Sequence, residues 1–148
     1  MADEGGEADE GRQADEGRDT DKDRKARRER GLRKFNEVYL GDVPAPPPGS
    51  MDFFDLMIEQ LFGEVWTRPA LSQARRRLIT MGAIAAQGEP DPFCIQVRAG
   101  IKNGEFSADE AREMIIHLAQ YVGYPRVAGL VGRVEQVLAE LERGDGNG

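Results

Sequence analysis

The chain has 148 residues, of which 39% are hydrophobic and 32% are charged, and its formal net charge is −7. This length allows one domain, and the negative charge argues against a general nucleic-acid-binding protein. So polar a composition indicates that part of the chain stays outside a folded core.

The cysteine content, the hydropathy and the N-terminal charge indicate the cellular compartment. Cys94 is the only cysteine, which excludes an intrachain disulfide and a Cys-x-x-Cys pair and is typical of a reducing compartment. No stretch approaches the ~18 apolar residues that cross a bilayer. The N-terminus is acidic, whereas a secretory signal begins with basic residues. We therefore expect a cytoplasmic protein that does not contact a membrane or nucleic acid.

Residues 1–30 are predicted to form a disordered charged tail. They repeat Ala-Asp-Glu-Gly-Arg at 8–12 and 14–18, and they have almost no apolar side chains to offset the entropy of ordering. Basic residues then dominate 22–34. One interpretation is an arm that grips nucleic acid or an acidic partner, and the other is a solvated tail whose charge blocks neutralise each other. We favour the second, because no aromatic residue interleaves the basic run before Phe35.

Residues 31–50 are predicted to be a docking segment followed by a linker. Apolar residues at 32–40 have helical spacing, which indicates a short helix that docks on the domain. The prolines of 41–50 favour an extended polyproline conformation and exclude a helix.

Residues 51–143 are predicted to be an all-helical domain. Helical spacing of apolar residues recurs and no β-alternation persists, so the fold class is all-α. The predicted helices cover 51–61, 72–86, 92–102, 107–123 and 125–141, and a turn at 62–69 carries the only tryptophan, Trp66.

The helix that begins at Ser107 has the clearest ends and the most suggestive polar residues. Ser107 and Glu110 have the spacing of a capping box. Glu113, His117 and Tyr121 follow at intervals of four, so they form one stripe along the helix, and His117 is the only histidine. Such a stripe is either an acid/base row or a polar seam packed against a neighbour.

Three segments resemble the carboxymuconolactone decarboxylase family. They are FGEVWTRP at 62–69, RAGIKNG at 98–104 and EAREMIIHLAQYVGYP at 110–125, within a resemblance that covers roughly 32–141. It implies an alkylhydroperoxidase D-like (AhpD-like) helical bundle that forms trimers or hexamers and works without a cofactor. It also implies a lyase that removes CO2 from 4-carboxymuconolactone in the breakdown of aromatic acids.

The chain departs from the family pattern at several positions. Arg77, Glu89, Pro92 and Gln96 stand where the peroxidase branch has its glutamate, its two cysteines and its histidine. A dithiol cycle is therefore excluded, and a thiol peroxidase is not expected. The decarboxylase branch usually has histidine in place of Gln96. Glutamine hydrogen-bonds but does not shuttle a proton near neutral pH.

Each candidate site residue has a chemical role and a structural alternative. Decarboxylation needs a cation for the substrate carboxylate, hydrogen-bond donors at the developing anion and a positioned acid. We assign substrate binding to Arg98, Gln96, Tyr121 and Trp66, and proton transfer to His117 oriented by Glu113. The alternatives are an interface ion pair for Arg98, a salt bridge for Glu113, and packing roles for the aromatic residues and histidine.

Three functions stay open at this point. The first is a cofactor-free lyase that acts on a small carboxylated lactone or a related ring. The second is a divergent isomerase, cyclase or hydrolase on the same scaffold, which the change at Gln96 motivates. The third is a non-catalytic binding protein whose charged tail recruits a partner.

Overall fold

A computed structural model describes residues 7–145 of the chain and the side chains of residues 20–144. The described residues form six α-helices and no β-strand, which confirms the all-α prediction and agrees with an alkylhydroperoxidase D-like fold. The helices are α1 (Glu7–Tyr39), α2 (Asp52–Leu56), α3 (Gln73–Gln87), α4 (Pro90–Lys102), α5 (Ala108–Val122) and α6 (Tyr124–Asp145). A π-helix, Met57–Val65, continues α2 and takes up the first half of the stretch, 62–69, that the sequence predicts as a turn.

The chain forms two compact units. The first, here the N-terminal unit, comprises Met1–Phe35 and Ala45–Arg68, and the second, the core unit, comprises Asn36–Pro44 and Pro69–Gly148. α1 therefore contributes to both units.

The first part of α1 differs from the predicted disordered tail. The structure has helix from Glu7 onward, and only residues 1–6 of the predicted tail lie wholly outside the described part of the chain. The basic run of α1 has carboxylate partners on the helix that follows the linker. Arg24 contacts Glu59 at 3.1 Å and Arg28 contacts Asp55 at 2.6 Å. The charges of Arg24 and Arg28 are thus neutralised by carboxylates that lie beyond the linker.

Two glycines allow α1 to approach the π-helix closely. A Cβ atom on Gly31 would lie 1.9 Å from the carbonyl oxygen of Ile58, and a Cβ on Gly63 would lie 2.6 Å from that of Arg27. Real Cβ atoms do not come this near to backbone oxygen, so both positions require glycine. Beside this contact, Phe62 packs edge-on against Phe35, with ring centroids 4.9 Å apart.

The core unit buries an apolar cluster contributed by α3, α4, α5 and α6. Its largest fully buried members are Met81, Phe93, Val97, Leu130 and Leu138. Burial of this apolar surface is the main force that holds the four helices together.

Helix ends in the core unit follow the predicted caps. Ser107 accepts a hydrogen bond from the backbone N–H of Glu110 at 3.2 Å, and the Glu110 carboxylate accepts one from the Ser107 N–H at 2.7 Å. The predicted capping box is confirmed. Gly88 ends α3 with a left-handed φ of 72°. α4 begins at Pro90, two residues earlier than predicted, because proline needs no hydrogen-bond partner in a first turn.

No helix in the described range is both long enough and apolar enough to cross a membrane.

Candidate active site

A cavity of about 290 Å³ in the core unit is the strongest candidate for a small-molecule site. Residues from α4, from α6 and from the segment that follows α1 line it. Its polar lining comes from Tyr39, Asp42, Asp91, Arg98, Arg133, Gln136 and Glu140. Its apolar lining comes mainly from Val43, Ile95, Ala99 and Val137. Below, it is called the Arg98 cavity.

Two ion pairs lie among the charged residues of the Arg98 cavity, whose lining also includes Asp42, paired with Lys102 at 2.8 Å. Arg98 donates from Nη2 to Glu140 at 2.5 Å, and Arg133 donates from Nη2 to Asp91 at 2.5 Å. The hydrogen bond from Arg98 holds the pKa of Glu140 below its usual range, so this carboxylate stays ionised near neutral pH. Only one nitrogen of Arg98 is used by Glu140. A guanidinium can bind a second carboxylate through its other donors.

Cys94 lines the same cavity but is poorly suited to attack a substrate. Its side chain is buried, and burial raises the pKa of the thiol because the thiolate is poorly solvated there. The thiol therefore stays protonated near neutral pH. This confirms the prediction that Cys94 is a small buried side chain.

A buried polar chain lies behind the cavity. Arg77 is completely buried, and its guanidinium donates to Glu105 at 2.6 and 3.1 Å and to the Val38 carbonyl at 2.8 Å. Arg77 also donates from Nη1 to Oε1 of Gln96 at 2.8 Å, and Gln96 donates from Nε2 to the Tyr39 hydroxyl at 3.1 Å. Gln96 is thus buried and does not line the cavity itself, but it hydrogen-bonds Tyr39, which does.

The predicted acid/base stripe lies elsewhere. Glu113, His117 and Tyr121 are exposed on α5, and the residues that line the Arg98 cavity include none of them. The rings of His117 and Tyr121 pack together with centroids 4.9 Å apart, and Tyr121 is 79% exposed. Within one chain, the structure brings Arg98 and the Gln96 network together and leaves the stripe apart.

Trp66 belongs to the N-terminal unit. It is buried and stacks on Phe62, with ring centroids 5.9 Å apart and planes inclined by 18°. This placement agrees with the packing alternative, and a role for Trp66 in substrate binding stays a prediction.

Among the residues that the structure describes, no three histidine, cysteine or acidic side chains gather as a metal-binding group.

Comparison with known proteins identifies the family. Residues 51–136 match the carboxymuconolactone decarboxylase family model, which is more than half of the chain. The chain belongs to the carboxymuconolactone decarboxylase family. It is 33% identical over 92 residues to a 4-carboxymuconolactone decarboxylase of Acinetobacter baylyi, a match that covers 62% of this chain and 68% of that relative. It is also 37% identical over 71 residues to the nitrosuccinic acid decarboxylase npaB of Metarhizium robertsii, covering 48% of this chain and 49% of that protein.

This member of the carboxymuconolactone decarboxylase family has cavity residues that sequence reasoning missed. Arg133 and Glu140 are seven residues apart on α6, and this two-turn spacing places them on one helix face. The sequence could have indicated Arg133 and Glu140 only through this spacing. Tyr39 lies within the docking helix predicted at 32–40 and ends α1 in the structure, and nothing in its local sequence distinguishes it from a packing residue.

Proposed function

We propose that this chain is a decarboxylase of small carboxylated compounds and that the Arg98 cavity is its substrate site. The observation that carries the proposal is the position of Arg98, on the wall of a cavity of substrate size with donor capacity left over from Glu140. Both similar relatives are named as decarboxylases, which supports the same reaction class. A lactone acid such as 4-carboxymuconolactone, or nitrosuccinic acid, is the compound type to test first.

The proposed reaction needs charge stabilisation more than a nucleophile. The bond from the departing carboxyl carbon to its neighbour breaks, and the electron pair stays on that neighbour. An adjoining electron-withdrawing group delocalises this pair, a proton then adds to the carbon, and CO2 leaves. No oxidant or reductant is consumed. Side chains that hydrogen-bond the developing anion, and an acid that supplies the proton, therefore carry the catalysis.

Arg98 contributes most if it binds an anionic group of the substrate that the product retains. If Arg98 held the departing carboxylate, it would stabilise the substrate more than the transition state, because that charge leaves as neutral CO2. Held on a retained group, its planar fork orients the substrate in the cavity. The cavity lining holds three carboxylates, Asp42, Asp91 and Glu140, against the two guanidinium groups of Arg98 and Arg133, so it is not cationic before a substrate binds.

Replacing Arg98 tests the proposal directly. We expect Arg98→Gln to lower kcat/KM by about 100-fold or more, chiefly through KM, because a charge-assisted bidentate contact is lost. Arg112→Gln is a matched control, since Arg112 also pairs with a glutamate of α6, Glu135, at 2.8 Å. The measurement is CO2 release from 4-carboxymuconolactone and from nitrosuccinic acid. Equal activity of the Arg98 and Arg112 variants would contradict the proposed site.

The proton donor is the second part of the proposal. His117 lies outside the cavity of its own chain, so it protonates substrate only if the α5 face of one copy meets the cavity of another. Ile116, Tyr121 and Tyr124 are more than half exposed on and beside this face, which suits an interface between copies. We therefore retain the homo-oligomer, trimer or hexamer, as part of the proposal, with His117 and Glu113 acting across it.

Subunit mixing distinguishes this arrangement from a site within one chain. Arg98→Gln and His117→Ala oligomers are each expected to be inactive alone. If His117 serves a neighbouring cavity, unfolding and refolding them together restores part of the activity, because some sites then hold both native residues. Absence of recovery in mixed oligomers of verified size contradicts the shared site, and full activity of His117→Ala removes His117 from the mechanism.

The buried position of Gln96 favours one alternative function. Gln96 cannot act as an acid, so an isomerase, cyclase or hydrolase that needs no proton transfer at this position is a second candidate. Such an enzyme would consume a cyclic carboxylate without releasing CO2. Paired measurement of substrate loss and CO2 release separates the two reactions.

A further inference from the structure

The segment that carries Tyr39 is held in place at several points. α1 ends in two consecutive left-handed residues, Leu40 with φ 53° and Gly41 with φ 78°. A left-handed leucine is unfavourable and persists only where its surroundings fix it. Here the Val38 carbonyl accepts from Arg77 at 2.8 Å, and Lys102 pairs with Asp42 at 2.8 Å. The side chain of Tyr39 therefore enters the wall of the Arg98 cavity from a fixed backbone.

The hydrogen bonds behind Tyr39 have only one possible direction. Arg77 has donors and no acceptor, so the Gln96 carbonyl oxygen must face it and the Gln96 amide NH2 must face away. That NH2 meets the Tyr39 hydroxyl and can only donate to it. The phenolic oxygen is thus the acceptor in this bond, and the Tyr39 proton points away from Gln96.

The same chain makes Tyr39 a stronger donor. Glu105 holds the Arg77 guanidinium through two contacts, and Arg77 polarises the carbonyl of the buried Gln96. A polarised amide donates more strongly, and an oxygen that accepts a strong hydrogen bond donates its own proton more strongly in turn. The hydrogen bonds behind Tyr39 therefore point its hydroxyl proton away from Gln96 and also make that hydroxyl a stronger donor.

We propose that Tyr39 hydrogen-bonds the substrate oxygen that gains negative charge as CO2 leaves, and that Gln96, Arg77 and Glu105 are positioning residues that direct its proton. This inference rests on the proposed function for its reaction, while the placement of Tyr39 rests on the cavity and the hydrogen-bond chain. It adds a catalytic residue that lies in the same chain as Arg98, whatever the source of the proton.

An isosteric substitution of Gln96 reverses the direction of its hydrogen bond with Tyr39. In Gln96→Glu, one carboxylate oxygen still accepts from Arg77, but the other can only accept from Tyr39. The Tyr39 proton is then drawn toward position 96 and away from substrate. Tyr39→Phe removes the same hydrogen bond by deleting the hydroxyl.

The test compares these two variants and their combination. We expect kcat to fall about 100-fold in Tyr39→Phe and by a similar factor in Gln96→Glu, as for removal of one donor at a developing oxyanion. Because both changes remove one interaction, the double variant should be no slower than the slower single variant. Thr80→Val is the control, since it also deletes one hydroxyl, which donates to the Arg76 carbonyl at 3.0 Å within α3 and does not line the cavity, and its activity should be unchanged. Unchanged kcat in Tyr39→Phe, or a full further loss on adding Gln96→Glu to it, would overturn the proposal.

A readout without turnover separates this inference from the proposed function. The chain has three tyrosines, so 13C labelling of the tyrosine ring carbon that bears the hydroxyl gives three assignable NMR signals. Succinate is a suitable probe, because it is a small carboxylate without the electron-withdrawing group that decarboxylation requires. It should shift the Tyr39 signal in the wild type but not in Gln96→Glu. An active enzyme with no such shift overturns the role of Tyr39, whereas a shift in an enzyme that releases no CO2 overturns only the decarboxylase assignment.

Discussion

At the scale of single residues, the buried side chain of Arg77 makes four hydrogen bonds. Its side chain is fully buried, and the side chain of its partner Glu105 is 8% exposed. A buried arginine is expensive to desolvate and is tolerated only when its donors are matched. Glu105, Gln96 and the Val38 carbonyl provide that matching. The resemblance places an arginine where the peroxidase branch has a glutamate, and in the structure Glu105 cancels the charge of this arginine.

Removing Arg77 alone should be severely destabilising. We expect Arg77→Met to lower the free energy of unfolding by about 3–5 kcal/mol, because it leaves the Glu105 carboxylate buried without its cation. Arg77→Met combined with Glu105→Leu should be clearly more stable than Arg77→Met, since no buried charge is then stranded. Urea denaturation of the single and double variants measures both values. A double variant whose loss equals the sum of the two single losses would show that the pair is not coupled.

At the scale of helices, the contact between α1 and the π-helix depends on the absence of side chains. A π-helix is rare and usually brief, so a run over Met57–Val65 marks a segment whose backbone geometry has been altered locally. Gly31 faces the carbonyl of Ile58 within that run. The pairs that Arg24 and Arg28 make with Glu59 and Asp55 then hold the two helices in register.

Two glycine substitutions of the same kind should have opposite effects. Gly31→Ala should cost about 1–3 kcal/mol of unfolding free energy, because its methyl group would overlap the Ile58 carbonyl and force the helices apart. Gly82→Ala in α3 has open space around the new methyl group, and it should stabilise by about 0.5–1 kcal/mol through helix propensity. Thermal or urea unfolding compares them. A stabilising Gly31→Ala would mean that α1 does not approach the π-helix this closely.

At the scale of the whole molecule, stability should fall in acid. The hydrogen bond from Arg112 holds the pKa of Glu135 below its usual range, and Arg98 does the same for Glu140. A carboxyl whose pKa is lower in the folded state contributes stability above its unfolded pKa of about 4.3, and that contribution is lost as the pH falls through the folded pKa. We expect the unfolding free energy to decline below about pH 4.

Variants assign part of this decline to the pair between α5 and α6. Glu135→Gln should flatten the acid limb of a pH series of urea denaturations, and Arg112→Gln should flatten it to the same extent because it removes the cause of the shift. The double variant should add nothing further. An acid limb as steep as in the wild type would rule out this pair as a source of the pH dependence.

The sequence predicts features that depend on neighbouring residues and does not predict contacts between residues that are far apart along the chain. The all-α class and the Ser107 capping box depend on residues three or four positions apart, and both were predictable. The tail was predicted as disordered because it has almost no apolar side chains. Its arginines meet carboxylates beyond a proline-rich linker, 27 to 37 residues away, and no local pattern indicates these pairs. Tyr39 and Gln96 are 57 residues apart, so no pattern along the chain indicates that they meet. The role of Arg98 could be proposed from chemistry alone, but its partner Glu140 could not.

The buried chain from Glu105 to Tyr39 also constrains the order in which this protein can change. A histidine introduced at position 96 would lie against the Arg77 guanidinium, which opposes the protonated imidazole that an acid catalyst requires. Replacing Arg77 first would strand Glu105, and replacing Glu105 first would leave Arg77 uncompensated. No single step toward a histidine-based site is free of cost. A histidine at position 96 that acts as an acid would therefore require coordinated changes at positions 77, 96 and 105.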